Sequence, residues 1–178
     1  MIYYQDKSLV IRSMEESDFS VMEAAFKKQG WEKPAAQYAA YYRDVIAGTR
    51  LVFVANIYGA FAGYTTLLPN TSTGPFAGKG IPEICDFNVL ISYQRQGIGS
   101  RLMDTAEKAA ADYSHIVSIG VGLHAGYGSA QRMYIKRGYV PDGSGVWFRD
   151  APLAPHAPCI NDDDLVLYFS KPLSNLNK

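Results

Sequence analysis

The residues best suited to chemistry are Gln94, Arg95, Gln96, Gly97, Ile98, Gly99 and Ser100. They fall between an apolar run rich in strand formers, Glu83-Ile-Cys-Asp-Phe-Asn-Val-Leu-Ile, and a segment with helical periodicity. Two glycines there let the backbone turn tightly and approach a ligand with no Cβ in the way. The first amides of a helix have no intrahelical partner, and the helix dipole makes that end positive. A pyrophosphate fits such a turn without a large basic patch. Other phosphate patterns fail on the same letters. A GxGxxG fingerprint needs a small residue where Leu102 stands, and a P-loop needs Ser or Thr after Gly78-Lys79, where Gly80 follows. A turn that binds nothing is the remaining alternative.

The elements that must position this turn are legible around it. Leu9-Val-Ile-Arg-Ser reads as a short strand, with Ser13 and Glu16 spaced as a capping box for a first helix. Phe19, Met22, Ala25 and Phe26 recur at helical spacing, and Gly30 offers a stop. A second helix is expected from Pro34 to about Ala47. Runs at 51–55 and 62–68 form a hairpin around Tyr58-Gly59, and residues 69–81 form a loop. After the turn, Ile98, Leu102, Ala106, Ala109 and Tyr113 make the buried stripe of a helix. A strand at 116–123, a short helix at 130–137 closed by Gly138, strands from Tyr139 and Val146, and a last strand at 165–169 complete the order. This is βααβββαβαββ, an α/β (α+β) chain with a mixed sheet of about seven strands and helices on both faces.

Composition sets the limits. The chain has 178 residues, and 17 basic residues balance 17 acidic ones, so nothing favours nucleic acid or a membrane surface. One domain spanning 1–178 is expected. Cys85 and Cys159 do not make a disulfide framework, the N-terminus has no apolar leader core, and no stretch matches a membrane span. A soluble, cytoplasmic protein is the expectation.

Gln94-x-x-Gly97-x-Gly99 resembles the Gln/Arg-x-x-Gly-x-Gly/Ala motif of the GNAT acetyltransferases. Residues 54–64 look like that family's β2–β3 hairpin. Ala130-Gln-Arg-Met-Tyr134-Ile-Lys-Arg-Gly138-Tyr139 looks like its "A..LY.K.GF" helix and following strand. The resemblance covers about residues 8–171. It implies the GNAT fold, acetyl-CoA as co-substrate with no metal, and direct attack by an amine on the thioester. It implies pyrophosphate contacts from Gln94 to Ser100, and strand-like pairing of the pantetheine with Phe87, Asn88 and Val89. Many members carry Asn three residues before the position of Ala130. This chain has Tyr127, whose ring either stacks on the pantetheine arm or leaves that contact unmade.

Acetyl transfer to an amine requires a base for the ammonium proton, a donor for the oxyanion and an acid for the departing thiolate. Glu83 lies eleven residues before Gln94, the spacing of the catalytic glutamate in histone-acetylating members, and is the candidate base. The plain alternative is a strand-edge carboxylate facing water. Asp86 is a rival, on the opposite face by strand alternation. Tyr134 matches the family's general acid, with a packed core tyrosine as the alternative. His124 reads as a loop histidine, and no nucleophile elbow suggests a covalent acyl-enzyme.

The expected partner is a small-molecule or peptide amine, with no nucleic acid and no membrane, and a homodimer stays open. The acceptor pocket implied by the resemblance would draw on Trp31, Tyr38, Tyr41, Tyr42, Phe76 and Trp147. A non-catalytic CoA-binding module or sensor with the same fold is the second reading.

Overall fold

Residues with one face to bury alternate along a strand and recur every three or four along a helix. In the computed structural model, which describes residues 1–173, these patterns yield β1 (Ile2–Gln5), β2 (Leu9–Ser13), α1 (Asp18–Lys28), α2 (Ala35–Ile46), β3 (Leu51–Ile57), β4 (Ala60–Leu68), β5 (Glu83–Val89), α3 (Ile98–Ala110), β6 (Ile116–Gly122), α4 (Gly128–Lys136), β7 (Val140–Phe148), β8 (Ala151–Pro152) and β9 (Leu165–Pro172). The expected order is present, but among the described residues the strands number nine rather than about seven. The additions are β1 and β8, of four and two residues, too short to show a period and held by the partners they pair with. Residues 174–178 of the expected single domain lie outside the described residues.

The chain divides into two compact units. The first comprises Met1–Leu68 and Cys85–Ala109. Strands β1 to β4 form an antiparallel ladder in chain order, with β5 beside β4. The β3–β4 turn uses Tyr58 and Gly59, both at positive φ (48° and 82°), the backbone of a two-residue turn that matches strand twist. Phe26, Met22 and Tyr38 from α1 and α2 are fully buried with Val52, Val54 and Tyr64 of β3 and β4. Burying each such side chain is worth about 1.5–3 kcal/mol.

Helix α1 starts later than the capping box predicts. Ser13 is consumed by the sheet, where it pairs with Phe53, and its amide donates to the Met1 carbonyl. Asp18 holds the entrance instead, accepting from the Glu15 amide at 2.8 Å. In α3, Ile98, Leu102, Ala106 and Ala109 are buried as expected. Tyr113 is not; it follows the end of α3 and is 50% exposed.

The second unit comprises Pro69–Ile84 and the chain from Ala110 onward. Glu83 and Ile84 pair in parallel with Ser118 and Ile119 of β6, whereas β6–β9, β9–β7 and β7–β8 are antiparallel. The sheet is therefore mixed. Strand β7 runs as one piece through a register shift between Pro141 and Val146, where two separate starts were expected.

Candidate active site

The turn at the end of β5 is fastened before it reaches the helix. The Leu90 amide donates to the Ala62 carbonyl at 2.9 Å, and Gln94 Nε2 donates back to the Val89 carbonyl at 3.2 Å. Gln96 Nε2 donates to the Ser92 carbonyl at 3.1 Å. Gly97 has φ +82°, a backbone state that L side chains rarely adopt, and a Cβ there would meet nothing within 4 Å. The space over Gly97 is therefore open to a ligand. Gly99 is required for a different reason: a Cβ would stand 3.0 Å from Phe87 Cζ and 3.6 Å from Val89 Cγ2.

Ile98 is buried and anchors the start of α3, while Gln94, Arg95, Gln96, Gly97 and Ser100 are exposed. The first helical bond runs from the Arg101 amide to the Gly97 carbonyl at 3.1 Å. The amides ahead of it have no carbonyl one turn back, and the dipole adds positive potential. Phe87, Val89 and the turn residues Gln94 to Ser100 are thus brought together, with Asn88 between the two strand contacts. This arrangement suits a diphosphate.

Sequence reasoning missed what surrounds Asp86. Its Oδ1 accepts from Lys33 Nζ at 2.8 Å and from Asn88 Nδ2 at 2.8 Å. Its Oδ2 accepts from Gln37 Nε2 at 3.1 Å, from Tyr41 Oη at 3.0 Å and from Tyr64 Oη. Burial alone would raise the Asp86 pKa, but the Lys33 ammonium and the donated hydrogen bonds outweigh it and hold the carboxyl below its ordinary value. The Tyr64 and Tyr41 phenols are pushed up, first by burial and then by the Asp86 charge. Asp86 sits at φ +47°, so the plain strand alternation used to oppose it to Glu83 does not hold through this residue. The only sequence signal was an acidic residue inside an apolar strand.

In the second unit, Glu83 is buried, 8% exposed, at the point where β5 pairs with Ser118. That removes the water-facing alternative. Tyr134 on α4 is 4% exposed, with its ring 5.9 Å from that of Tyr139. Burial, followed by the neighbouring Tyr127, pushes its phenol pKa above the ordinary tyrosine value, so it keeps its proton at neutral pH.

Tyr127 lies with its ring against Gly122, and its Oη donates to Asp163 Oδ1 at 2.9 Å. His124 Nε2 is 2.9 Å from the same oxygen. His124 Nδ1 accepts from the Gly126 amide, so the ring proton of the neutral imidazole is on Nε2, facing Asp163. His124, read from sequence as a loop histidine, is tied to a residue 39 positions away.

A sequence profile described as "Acetyltransferase (GNAT) domain" matches residues 15–155. A search of curated protein sequences found no match. Among solved structures, the chain is similar to an acetyltransferase of Salmonella typhimurium that modifies the N-terminal serine of ribosomal protein L7/L12. The TM-score is 0.73 at 11% identity, over 98% of this chain and 100% of that one. It is also similar to the L7/L12 α-N-protein acetyltransferase RimL in complex with coenzyme A (TM-score 0.72, 12% identity, 97% and 98% covered). Ard1 of Thermoplasma volcanium gives a TM-score of 0.69 at 16% identity, with 94% and 99% covered. At these identities the structures establish a shared fold.

Proposed function

The chain belongs to the GNAT acetyltransferase family, and from that premise we propose that it transfers acetyl from acetyl-CoA to a primary amine by direct attack in a ternary complex. The observation that carries the reading is the turn from Gln94 to Ser100: a positive-φ glycine with open space above it, at the N-terminus of a thirteen-residue helix. When bound, acetyl-CoA supplies an activated thioester carbonyl.

The chain's own residues divide the remaining work. Amides from Gln94 to Ser100 hold the diphosphate, with Arg95 close by. Phe87, Asn88 and Val89 align the pantetheine arm, and Tyr127 is the further candidate contact. Glu83, directly or through a water, takes the proton that the amine must lose. Tyr134, kept protonated by burial, delivers a proton to the departing sulfur. In the direct attack the new C–N bond forms first, the C–S bond then breaks as the oxyanion collapses, and no covalent enzyme species is required.

The test is release of CoA thiol from acetyl-CoA across a panel of primary amines, beside calorimetry of CoA binding. Binding with turnover supports the enzyme. Binding without turnover on any amine would leave a CoA-binding module, and no binding would remove the reading altogether.

A further inference from the structure

The ammonium of Lys33 occupies a fully built cation site. Its Nζ lies 2.8 Å from Asp86 Oδ1, 3.3 Å from Tyr64 Oη, and 5.7 Å from the ring centroids of both Phe26 and Tyr64. A carboxylate, a phenol oxygen and two aromatic rings together meet the needs of a primary alkylammonium. Asp86 is oriented independently of Lys33, because Gln37, Tyr41, Tyr64 and Asn88 also donate to it. The site would therefore keep its shape if the lysine withdrew.

Lys33 is well placed to withdraw. It belongs to the short connection between α1 and α2, after Gly30 at φ +80° and immediately before Pro34. The side chains of Lys33 and Asp86 each remain 19% exposed, so solvent reaches the site. Exchange of one ammonium for another leaves Asp86 paired throughout. A neutral or anionic ligand in the same place would strand a part-buried carboxylate, which is strongly unfavourable.

We propose that this cradle recognises the charged end of an aliphatic di- or polyamine acceptor, and that Lys33 is a tethered stand-in which the acceptor displaces. The proposal rests on the reading of the chain as an amine acetyltransferase, and it names the acceptor class. The cradle holds the nitrogen that does not react. The bonds donated by Gln37, Tyr41, Tyr64 and Asn88 favour the ionised carboxylate and make Asp86 a poor base at neutral pH, and an ammonium held there stays charged and is no nucleophile. The acceptor's other nitrogen, once deprotonated, forms the N–C bond to the acetyl carbon. The C–S bond breaks, and the sulfur leaves as CoA thiol with the proton delivered to it.

The experiment compares wild type, Lys33→Met and Asp86→Asn, each checked for folding by circular dichroism. Calorimetry measures the Kd of 1,4-diaminobutane with and without saturating CoA, and turnover gives kcat/KM for 1,4-diaminobutane against n-butylamine. Lys33→Met removes the tethered competitor and should tighten diamine binding about tenfold. Asp86→Asn should weaken it by about tenfold or more and erase the preference for the diamine over n-butylamine. CoA affinity should be unchanged in both. Weaker or unchanged diamine binding in folded Lys33→Met, or an unaltered diamine preference in Asp86→Asn, overturns the proposal. Should Asp86→Asn fail to fold, Lys33→Met decides alone. Loss of CoA binding in the wild type would remove the acetyltransferase reading, while the amine calorimetry still judges the cradle.

Discussion

Arg12 grips Asp18 with both ends of its guanidinium, Nη2 to Oδ1 at 2.7 Å and Nη1 to Oδ2 at 2.8 Å. The pair joins the end of β2 to the first turn of α1, and Asp18 is nearly buried. Bidentate geometry and partial burial make such a pair worth more than a surface contact. Arg12→Ala should lower stability by about 2–4 kcal/mol, because it leaves the Asp18 carboxylate in a desolvated position without its cation, with only the Glu15 amide donating to it. Urea denaturation measures this. A change below about 0.5 kcal/mol would place the pair among ordinary surface contacts.

Gly97→Glu should abolish CoA binding, through both the positive φ at that residue and the charge placed against the phosphates. Gly97→Asn is the control, since Asn tolerates the left-handed region and adds no charge. It should retain CoA binding within about tenfold, some 1.4 kcal/mol. Calorimetry showing unchanged CoA affinity in a folded Gly97→Glu protein would end the assignment of the turn.

Tyr134→Phe removes the phenol proton and keeps the ring against Tyr139. The expected fall in kcat is about 10²-fold, with little change in CoA affinity. Because burial raises the phenol's pKa, the wild-type rate should show no alkaline decline from Tyr134 in the neutral range. Turnover within about a factor of two of wild type would return Tyr134 to packing alone.

Glu83→Gln preserves size but cannot accept the amine's proton. Its kcat/KM should drop at neutral pH and partly recover at alkaline pH, where free amine is supplied by the solvent. A pH profile matching wild type would move the base to a water chain or to another group.

Asp86 makes a separate prediction about stability. Its folded pKa lies below the unfolded carboxylate value of about 3.9, so the unfolded state binds the proton more readily. The stabilisation is complete above that value and is lost as pH falls through the folded pKa. The stability gap between wild type and Asp86→Asn should therefore be largest at neutral pH and shrink in acid below about pH 4. Thermal melts across pH 2–7, on the order of the range set by those pKa values, read the gap directly. A gap independent of pH would mean that Asp86 acts through shape rather than charge.

The parts of the molecule that could be read from sequence are those whose cause is local. The turn from Gln94 to Ser100 is determined by its own glycines and by the flanking strand and helix. The β3–β4 hairpin likewise follows from Tyr58-Gly59. The Asp86 cluster depends on Lys33, Gln37, Tyr41 and Tyr64, which come from a loop, a helix and another strand, and on a φ of +47° that no residue pattern announces. The capping box at Ser13 failed because a strand partner, Phe53, claimed the residue that the local rule assigned to the helix. His124 and Asp163 meet across 39 positions, a distance over which residue spacing carries no information.

The division into units has a consequence for biosynthesis. Each unit is assembled from separated stretches of chain, with crossings after Leu68, Ile84 and Ala109. During synthesis the first unit cannot close until the residues up to 109 have left the ribosome, although its opening ladder is complete by Leu68. In the interval the β4 edge awaits β5, and an unpaired edge is open to association with other chains. A cut after Ala109 would leave every stretch of the first unit in one fragment, whereas the second unit would be divided, its residues 69–84 remaining with the other piece.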